Sequence, residues 1–252
     1  MIFLFSFRIP FKYSRENGEG VFMKVAVVTG SSRGIGRAIA EMLAEEGYSL
    51  VLGARNVEEL EKLAEGLETE VFYQHLDVSK PESVDNFASR VLQRFGGVDL
   101  VVANAGVGYF GRLEEIRDED FERMLQVNTL GLWRTIKAFL PSLKERKGIV
   151  VAITSDVSAR VFPDGGAYVA TKWAARALVR TFQLENPEVR FLELRPGAVD
   201  TYFAGSRPGK PKEHGFLKPE EVAEALRPLL KLPPEVRVEE LMLRSVYQKP
   251  EY

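Results

Sequence analysis

Along the chain, short β-branched apolar runs alternate with longer segments whose apolar residues recur at helical spacing. Lys24-Val25-Ala26-Val27-Val28-Thr29 is nearly unbroken, as expected of a strand covered on both faces. A glycine-rich turn follows. Ala38, Ile39, Met42 and Leu43 then share one face of a helix predicted over Arg37 to Glu46, with Gly47 as its stop. Further strands are predicted over Ser49 to Ala54, Glu70 to Leu76, Val98 to Ala103, Gly148 to Thr154, Val189 to Arg195 and Val236 to Val246. Between them fall helices over Val57 to Leu67 (with Asn56 as N-cap), Pro81 to Phe95, Asp118 to Lys144 and Gly166 to Glu185. The third of these reads as one long helix with room for a bend. A last helix starts at Lys218-Pro219-Glu220-Glu221 and ends near Pro233-Pro234. Regular alternation predicts an α/β fold: a doubly wound parallel sheet of about seven strands with helices on both faces. No linker or repeat separates a second domain, so residues 23–252 read as one unit.

The stretch before Met23 does not fit this pattern. Met1-Ile2-Phe3-Leu4-Phe5-Ser6-Phe7-Arg8-Ile9-Pro10 is locally apolar, but too short for a membrane span and without the preceding basic region of a signal peptide. Polar, turn-prone Ser14 to Gly20 follows. The preferred reading is an N-terminal extension outside the natural chain, which then starts at Met23. The alternative is a hydrophobic arm docking on a neighbouring subunit. Neither reading makes residues 1–22 part of a site.

Composition narrows the chemistry. Lys and Arg number 34 against 36 Asp and Glu, a balance that argues against a nucleic-acid partner. No apolar run is long enough for the membrane, and the expected location is cytoplasmic. There is no cysteine, and the only histidines are His75 and His214 in unrelated contexts. Thiolate chemistry is therefore excluded, and a histidine-based metal site or a Ser-His-Asp triad is not expected.

Thr29-Gly30-Ser31-Ser32-Arg33-Gly34-Ile35-Gly36 links the first strand to the first helix. A glycine-rich turn there lets backbone approach a pyrophosphate, and the helix N-terminus offers free N–H groups. The P-loop pattern Gly-Lys-Ser/Thr is absent. Many NAD binders place an acid near the end of the second strand, where it bonds the ribose 2′-hydroxyl. This chain has Leu52-Gly53-Ala54-Arg55 instead. Arg55, with Arg33, is placed for a 2′-phosphate, which favours NADP(H) as cofactor.

Tyr168 and Lys172 stand four apart near the start of a predicted helix and share a face. A lysine cation beside a phenol is expected to lower its pKa. Ser155 ends the fifth strand, so all three groups should gather at the carboxyl edge of the sheet.

With these segments in order, the chain resembles the short-chain dehydrogenase/reductase family, in its shorter single-domain branch. The resemblance spans Met23 to Val246 and rests on Thr29 to Gly36, Asp77-Val78, Asn104-Ala105-Gly106, Asn128, Ser155, Tyr168/Lys172 and Arg195-Pro196-Gly197 with Thr201. It implies a Rossmann-like fold and an NADP-dependent oxidoreductase that moves a hydride between nicotinamide and a carbonyl or secondary alcohol. Tyr168 would be the general acid or base, Ser155 would hold the substrate oxygen, and Lys172 would bind the nicotinamide ribose and tune Tyr168. Asn128 would position a water linking Lys172 to solvent. Cofactor contacts would come from Gly30, Ser32, Arg33, Gly34, Ile35 and Gly36, from Arg55, from Asp77 and Val78 at the adenine, and from Asn104, Ala105 and Gly106. Pro196, Gly197, Val199 and Thr201 would bracket the nicotinamide. No metal is implied.

The chain ends in Val238 to Val246 without the glycine-rich Val-Asp-Gly-Gly segment common in acyl-carrier-linked members. Tyr202 to Leu217 is a short lid rich in glycine and proline, so an open pocket and broad substrate range are expected, with Tyr109, Val157, Phe162, Tyr202 and Phe203 as candidate walls. A reductase dedicated to one sugar, hydroxy acid or 3-oxoacyl thioester is the alternative. A non-catalytic NADP-sensing binder is the alternative from another class. Trp133 and Trp173 lie on the two helices through which the family usually assembles, which implies a homodimer or homotetramer.

Overall fold

The computed structural model describes residues 23–248; both readings of Met1 to Phe22 lie outside the described residues. Seven parallel strands form one sheet in the order β3-β2-β1-β4-β5-β6-β7. They are β1 (Val25–Thr29), β2 (Ser49–Ala54), β3 (Val71–His75), β4 (Leu100–Ala103), β5 (Ile149–Ile153), β6 (Arg190–Pro196) and β7 (Glu240–Leu243). Helices α1 (Gly34–Glu45), α2 (Val57–Glu65), α3 (Pro81–Phe95), α4 (Asp118–Met124), α5 (Leu132–Arg146), α6 (Gly166–Glu185) and α7 (Pro219–Leu230) make the connections. This is the Rossmann-like arrangement expected of the sequence.

Burial explains the apolar runs. In β1, Val25 and Val27 enter one core with Phe87, Ile136, Phe139 and Phe191, while Ala26 and Val28 enter the other with Ile39, Leu43, Leu60 and Leu226. A strand between two cores has no polar face, so period-2 alternation disappears. The order reverses beside β1, which pairs with both β2 and β4. The loops diverge at that point and leave a crevice beyond the carboxyl ends of the strands.

The fold departs from the sequence reading in three places. Helix α1 starts at Gly34 rather than Arg37, so the glycine turn itself forms its first turn. The long helix is continuous over 118–146 but passes through a π-helical stretch, Leu125–Gly131, that contains Asn128. β7 is four residues long instead of running from Val236 to Val246. It pairs only while β6 remains extended, from Glu193↔Glu240 to Pro196↔Leu243, and then β6 ends at the Gly197 turn.

Candidate active site

The crevice holds a cleft of about 1150 Å³. Its floor begins at the β1–α1 turn. Gly30 sits at φ +66 against the Ala105 backbone, where a Cβ would come within 2.9 Å of Cα. Only glycine meets both demands. Asn104 staples the turn from the β4 side: its Nδ2 donates to the carbonyls of Thr29 and Gly30 at 2.9 and 3.2 Å. Thr29 Oγ1 accepts from the amides of Asn104 and Ala105 at 3.0 and 3.1 Å.

Gly30, Ser32, Arg33, Gly34, Ile35, Arg55, Asp77, Val78, Asn104, Ala105 and Gly106 all line the cleft, as sequence reasoning placed them. So do Ser155, Tyr168, Lys172, Pro196, Gly197, Val199 and Thr201. Two candidates stand behind it. Gly36 is buried, and a Cβ there would meet Asn104 Nδ2 at 2.4 Å and the Gly30 carbonyl oxygen at 2.5 Å. It lets α1 close on the turn and contributes no wall. Asn128 is 2% exposed and outside the lining. Its Oδ1 accepts from the Val107 amide at 2.9 Å, and its Nδ2 donates to the Val107 carbonyl and to Thr171 Oγ1 at 2.9 and 3.0 Å. With both amide protons spoken for, this side chain braces the β4 loop against α6.

Ser155 lies two residues beyond the end of β5, in extended backbone, and caps the 3₁₀ turn Asp156–Ala159 by accepting from the Val157 amide at 3.3 Å. Tyr168 and Lys172 lie on the buried face of α6, one turn apart. Lys172 Nζ donates to the Ile153 carbonyl at 3.3 Å and stands 5.6 Å from the Tyr168 ring centroid. Burial raises the Tyr168 phenol well above its ordinary range; the Ser155 hydroxyl pulls it down and the Asp156 charge pushes it up. Burial lowers Lys172 to about 8, against an upward pull from Glu193. The expectation that lysine would lower the tyrosine therefore needs correcting for the chain alone. Lost solvation is the largest influence on the phenol, and it outweighs the downward pull of the Ser155 hydroxyl. At neutral pH the cleft thus presents a protonated phenol beside a hydroxyl, a pair able to hold an oxygen and pass it a proton.

The other end of the cleft is cationic. Arg55 is exposed on its rim beside Ala54, the last residue of β2; Arg33 is exposed between this end and the lid, its guanidinium 5.4 Å from the Tyr202 ring centroid, and neither arginine is ion-paired among the described residues. Burial alone would raise Asp77, but the Ser79 hydroxyl and amide and Arg123 outweigh it and hold the carboxyl below its usual value. At the glycine turn, Ser31 is fully buried and its hydroxyl has no partner. A glycine cradle and cations on the rim suit a dinucleotide. Among the described residues, no cluster of three or more His, Asp or Glu is placed to hold a metal ion. No described helix is long and apolar enough to cross a membrane.

Comparison with known proteins agrees with this geometry. A family model described as short chain dehydrogenase matches residues 24–211. The chain belongs to that family.

Among solved structures, this short-chain dehydrogenase/reductase is similar to an alcohol dehydrogenase from the archaeon Thermococcus sibiricus complexed with 5-hydroxy-NADP. Identity is 69%, coverage 91% of this chain and 100% of that one, and the TM-score 0.89. A metagenomic short-chain oxidoreductase in complex with NADP is 30% identical over 87% of this chain and 96% of its own, with a TM-score of 0.77. An uncharacterized oxidoreductase of Listeria monocytogenes is 31% identical over 89% of this chain and 97% of its own length. The chain is an oxidoreductase of the short-chain dehydrogenase/reductase type, acting on alcohol or carbonyl groups.

The substrate end of the cleft corrects one wall. Val157, Phe162, Tyr202 and Phe203 line it, but Phe110 takes the place foreseen for Tyr109. Adjacent loop residues diverge, and the Tyr109 amide is turned to Met124 Sδ at 3.4 Å. The Phe110 ring lies 5.5 Å from Tyr168, and Phe203 from the lid lies 5.6 Å from the same ring. Sequence reasoning also missed Asp156, Arg123 and Gln248, which all line the cleft. No local periodicity marks them.

Proposed function

We propose that this short-chain dehydrogenase/reductase moves a hydride between NADP(H) and the carbonyl or secondary alcohol of a broad set of small molecules. The carrying observation is the convergence of Ser155, Tyr168 and Lys172 in one cleft whose other end displays Arg33 and Arg55 where Ala54 replaces an acid. The two relatives solved with NADP or a derivative of it point the same way.

When bound, the nicotinamide supplies or accepts the hydride. The chain does the rest. Ser155 orients the substrate oxygen. Tyr168 protonates it in reduction and, in oxidation, receives its proton only after first losing its own to become the phenolate. Lys172, with its lowered proton affinity, holds the ribose side, with its Nζ 5.6 Å from the Tyr168 ring. Arg55 and Arg33 take the 2′-phosphate through charge-assisted bonds. Asn128 acts from behind by fixing Val107 and α6. Breadth follows from the walls. Phe110, Phe162 and Phe203 form ring contacts at 6.0 and 6.4 Å and give this end of the cleft an apolar face. Apolar pockets of this kind discriminate weakly. Trp173, half exposed on α6, supports self-association into a homodimer or homotetramer.

Absorbance at 340 nm with NADPH and a panel of ketones, aldehydes, sugars and 3-oxo acids tests the reading. Turnover of several unrelated carbonyls is expected. Turnover of one alone would favour a dedicated reductase. Tight NADPH binding with none would favour a sensor.

A further inference from the structure

Beside Ser155 lies a buried charge cluster that the roles above do not use. Asp156 is 4% exposed. Its Oδ1 accepts from the Ser155 hydroxyl at 3.3 Å. Its Oδ2 accepts from Arg160 Nη2 at 2.8 Å, Arg244 Nε at 3.0 Å and Gln248 Nε2 at 3.3 Å. Arg244 and Gln248 lie beyond β7, in the C-terminal segment. The same Gln248 accepts from the Ala198 amide through Oε1 at 3.3 Å. Gly215, at the far end of the lid, packs on it so closely that a Cβ would meet the Gln248 Cα at 2.9 Å. From the other side, Arg195 of β6 donates to the carbonyls of Ser155 and Asp156 at 3.4 and 3.0 Å. One short stretch of tail thus ties together the serine turn, the Pro196–Val199 turn and the lid.

The Ser155 hydroxyl has one proton, and in the proposed reaction it must donate that proton to the substrate oxygen. Left free, the hydroxyl would sample other rotamers and other acceptors. We infer that Asp156 is a positioning residue that presets the Ser155 hydroxyl, and that the C-terminal strap of Arg244 and Gln248 holds Asp156 in register for it. The inference rests on the reading of Ser155 and Tyr168 given above. The arrangement stores a choice: the long Ser155–Asp156 bond yields to a shorter one when a substrate oxygen arrives. The strap also makes the reaction centre sensitive to the tail, 92 positions away in sequence from Asp156 at Gln248.

The carboxylate has an electrostatic consequence as well. Tyr168 is faced by Ser155, by Asp156 and by Lys172 from its own helix, and Lys172 is faced by Glu193 from β6. Asp156 is faced by Arg160, by Arg244 and, from behind, by Arg195. Neutralising Asp156 removes the anion that disfavours the phenolate and leaves its cations uncompensated, so both effects act in the same direction.

Asp156→Asn preserves shape and tests this directly. Expected is a loss in kcat of about tenfold or more, an NADPH dissociation constant within about twofold of wild type, and a pH midpoint for alcohol oxidation moved to lower pH. A merely structural defect would not move that midpoint. Gln248→Leu, on the more exposed tail, serves if Asp156→Asn does not fold. It should lower kcat several-fold and raise substrate KM in a protein that stays folded. Wild-type kcat and pH profile in a folded Asp156→Asn, or in Gln248→Leu if that is the variant available, would overturn the inference. Tyr168→Phe, assayed alongside, separates the failures. If Tyr168→Phe is inactive while the strap variants match wild type, only the positioning role falls; if Tyr168→Phe is active, the underlying reading falls.

Discussion

Cofactor choice can be reversed at two adjacent positions. Arg55 follows the last residue of β2 and is exposed on the rim of the cleft; Ala54, at the end of the strand, also faces the cleft and is 5% exposed. A 2′-phosphate there gains a charge-assisted bond from Arg55, worth about 1.5 kcal/mol at the low end because the site is wet. Replacing Arg55 with Leu removes it. Replacing Ala54 with Asp adds repulsion of about 1 kcal/mol at a separation of roughly 4 Å in water, and offers an acceptor to a free 2′-hydroxyl. Together these come to about 2.5 kcal/mol, or close to a hundredfold swing in preference. The assay is kcat/KM for NADPH and NADH with one carbonyl substrate, in wild type and in Ala54→Asp/Arg55→Leu. Wild type should favour NADPH, and the variant should be near parity or favour NADH. A wild type that already prefers NADH, or a folded variant that keeps the NADPH preference, would refute the assignment of Arg55.

Two further expectations concern the scaffold. Gly36→Ala drives a methyl to 2.5 Å from the Gly30 carbonyl oxygen, a backbone atom that cannot swing aside. Stability should fall by about 1–3 kcal/mol in denaturant unfolding, with weaker dinucleotide binding. Lys172 makes stability depend on pH. The folded chain releases its proton near 8 and the unfolded chain near 10.5, so the buried cation costs stability below pH 8 and the cost disappears as pH rises to 10.5. Lys172→Met should therefore be more stable than wild type at pH 7 by up to about 3 kcal/mol, with the gap narrowing above pH 8 and closing beyond about pH 10.5. Melting curves of the two ligand-free proteins across pH check this.

Much of the fold was legible because its signals are local. A strand packed between two layers is apolar throughout, and β1 shows it; a helix that must lie close on a turn needs glycine, and Gly30, Gly34 and Gly36 show that. Tyr168 and Lys172 were legible through helical spacing. Other features depend on contacts that no window of sequence contains. β7 stops where β6 turns, so its own apolar run overstates its length. Asn128 was placed correctly in the long helix, but the π-helical stretch and the turn of its amide toward Val107 and Thr171 arise from packing. The raised Tyr168 reflects burial, and Phe110 and Phe203, from loops far apart in sequence, pack against its ring. Asp156 looks like an ordinary turn residue until Arg244 and Gln248 arrive from the end of the chain.

The central claim is that Tyr168 carries the proton in an NADP-dependent reaction on a carbonyl or alcohol. Removing only its hydroxyl, in Tyr168→Phe, tests that claim most directly. Single-turnover reduction of a carbonyl substrate should be followed by NADPH absorbance at 340 nm, with NADPH affinity measured in parallel by fluorescence. Loss of the rate by about 10²–10⁴-fold with nearly unchanged NADPH affinity is the expected result. A rate within a few-fold of wild type would contradict it.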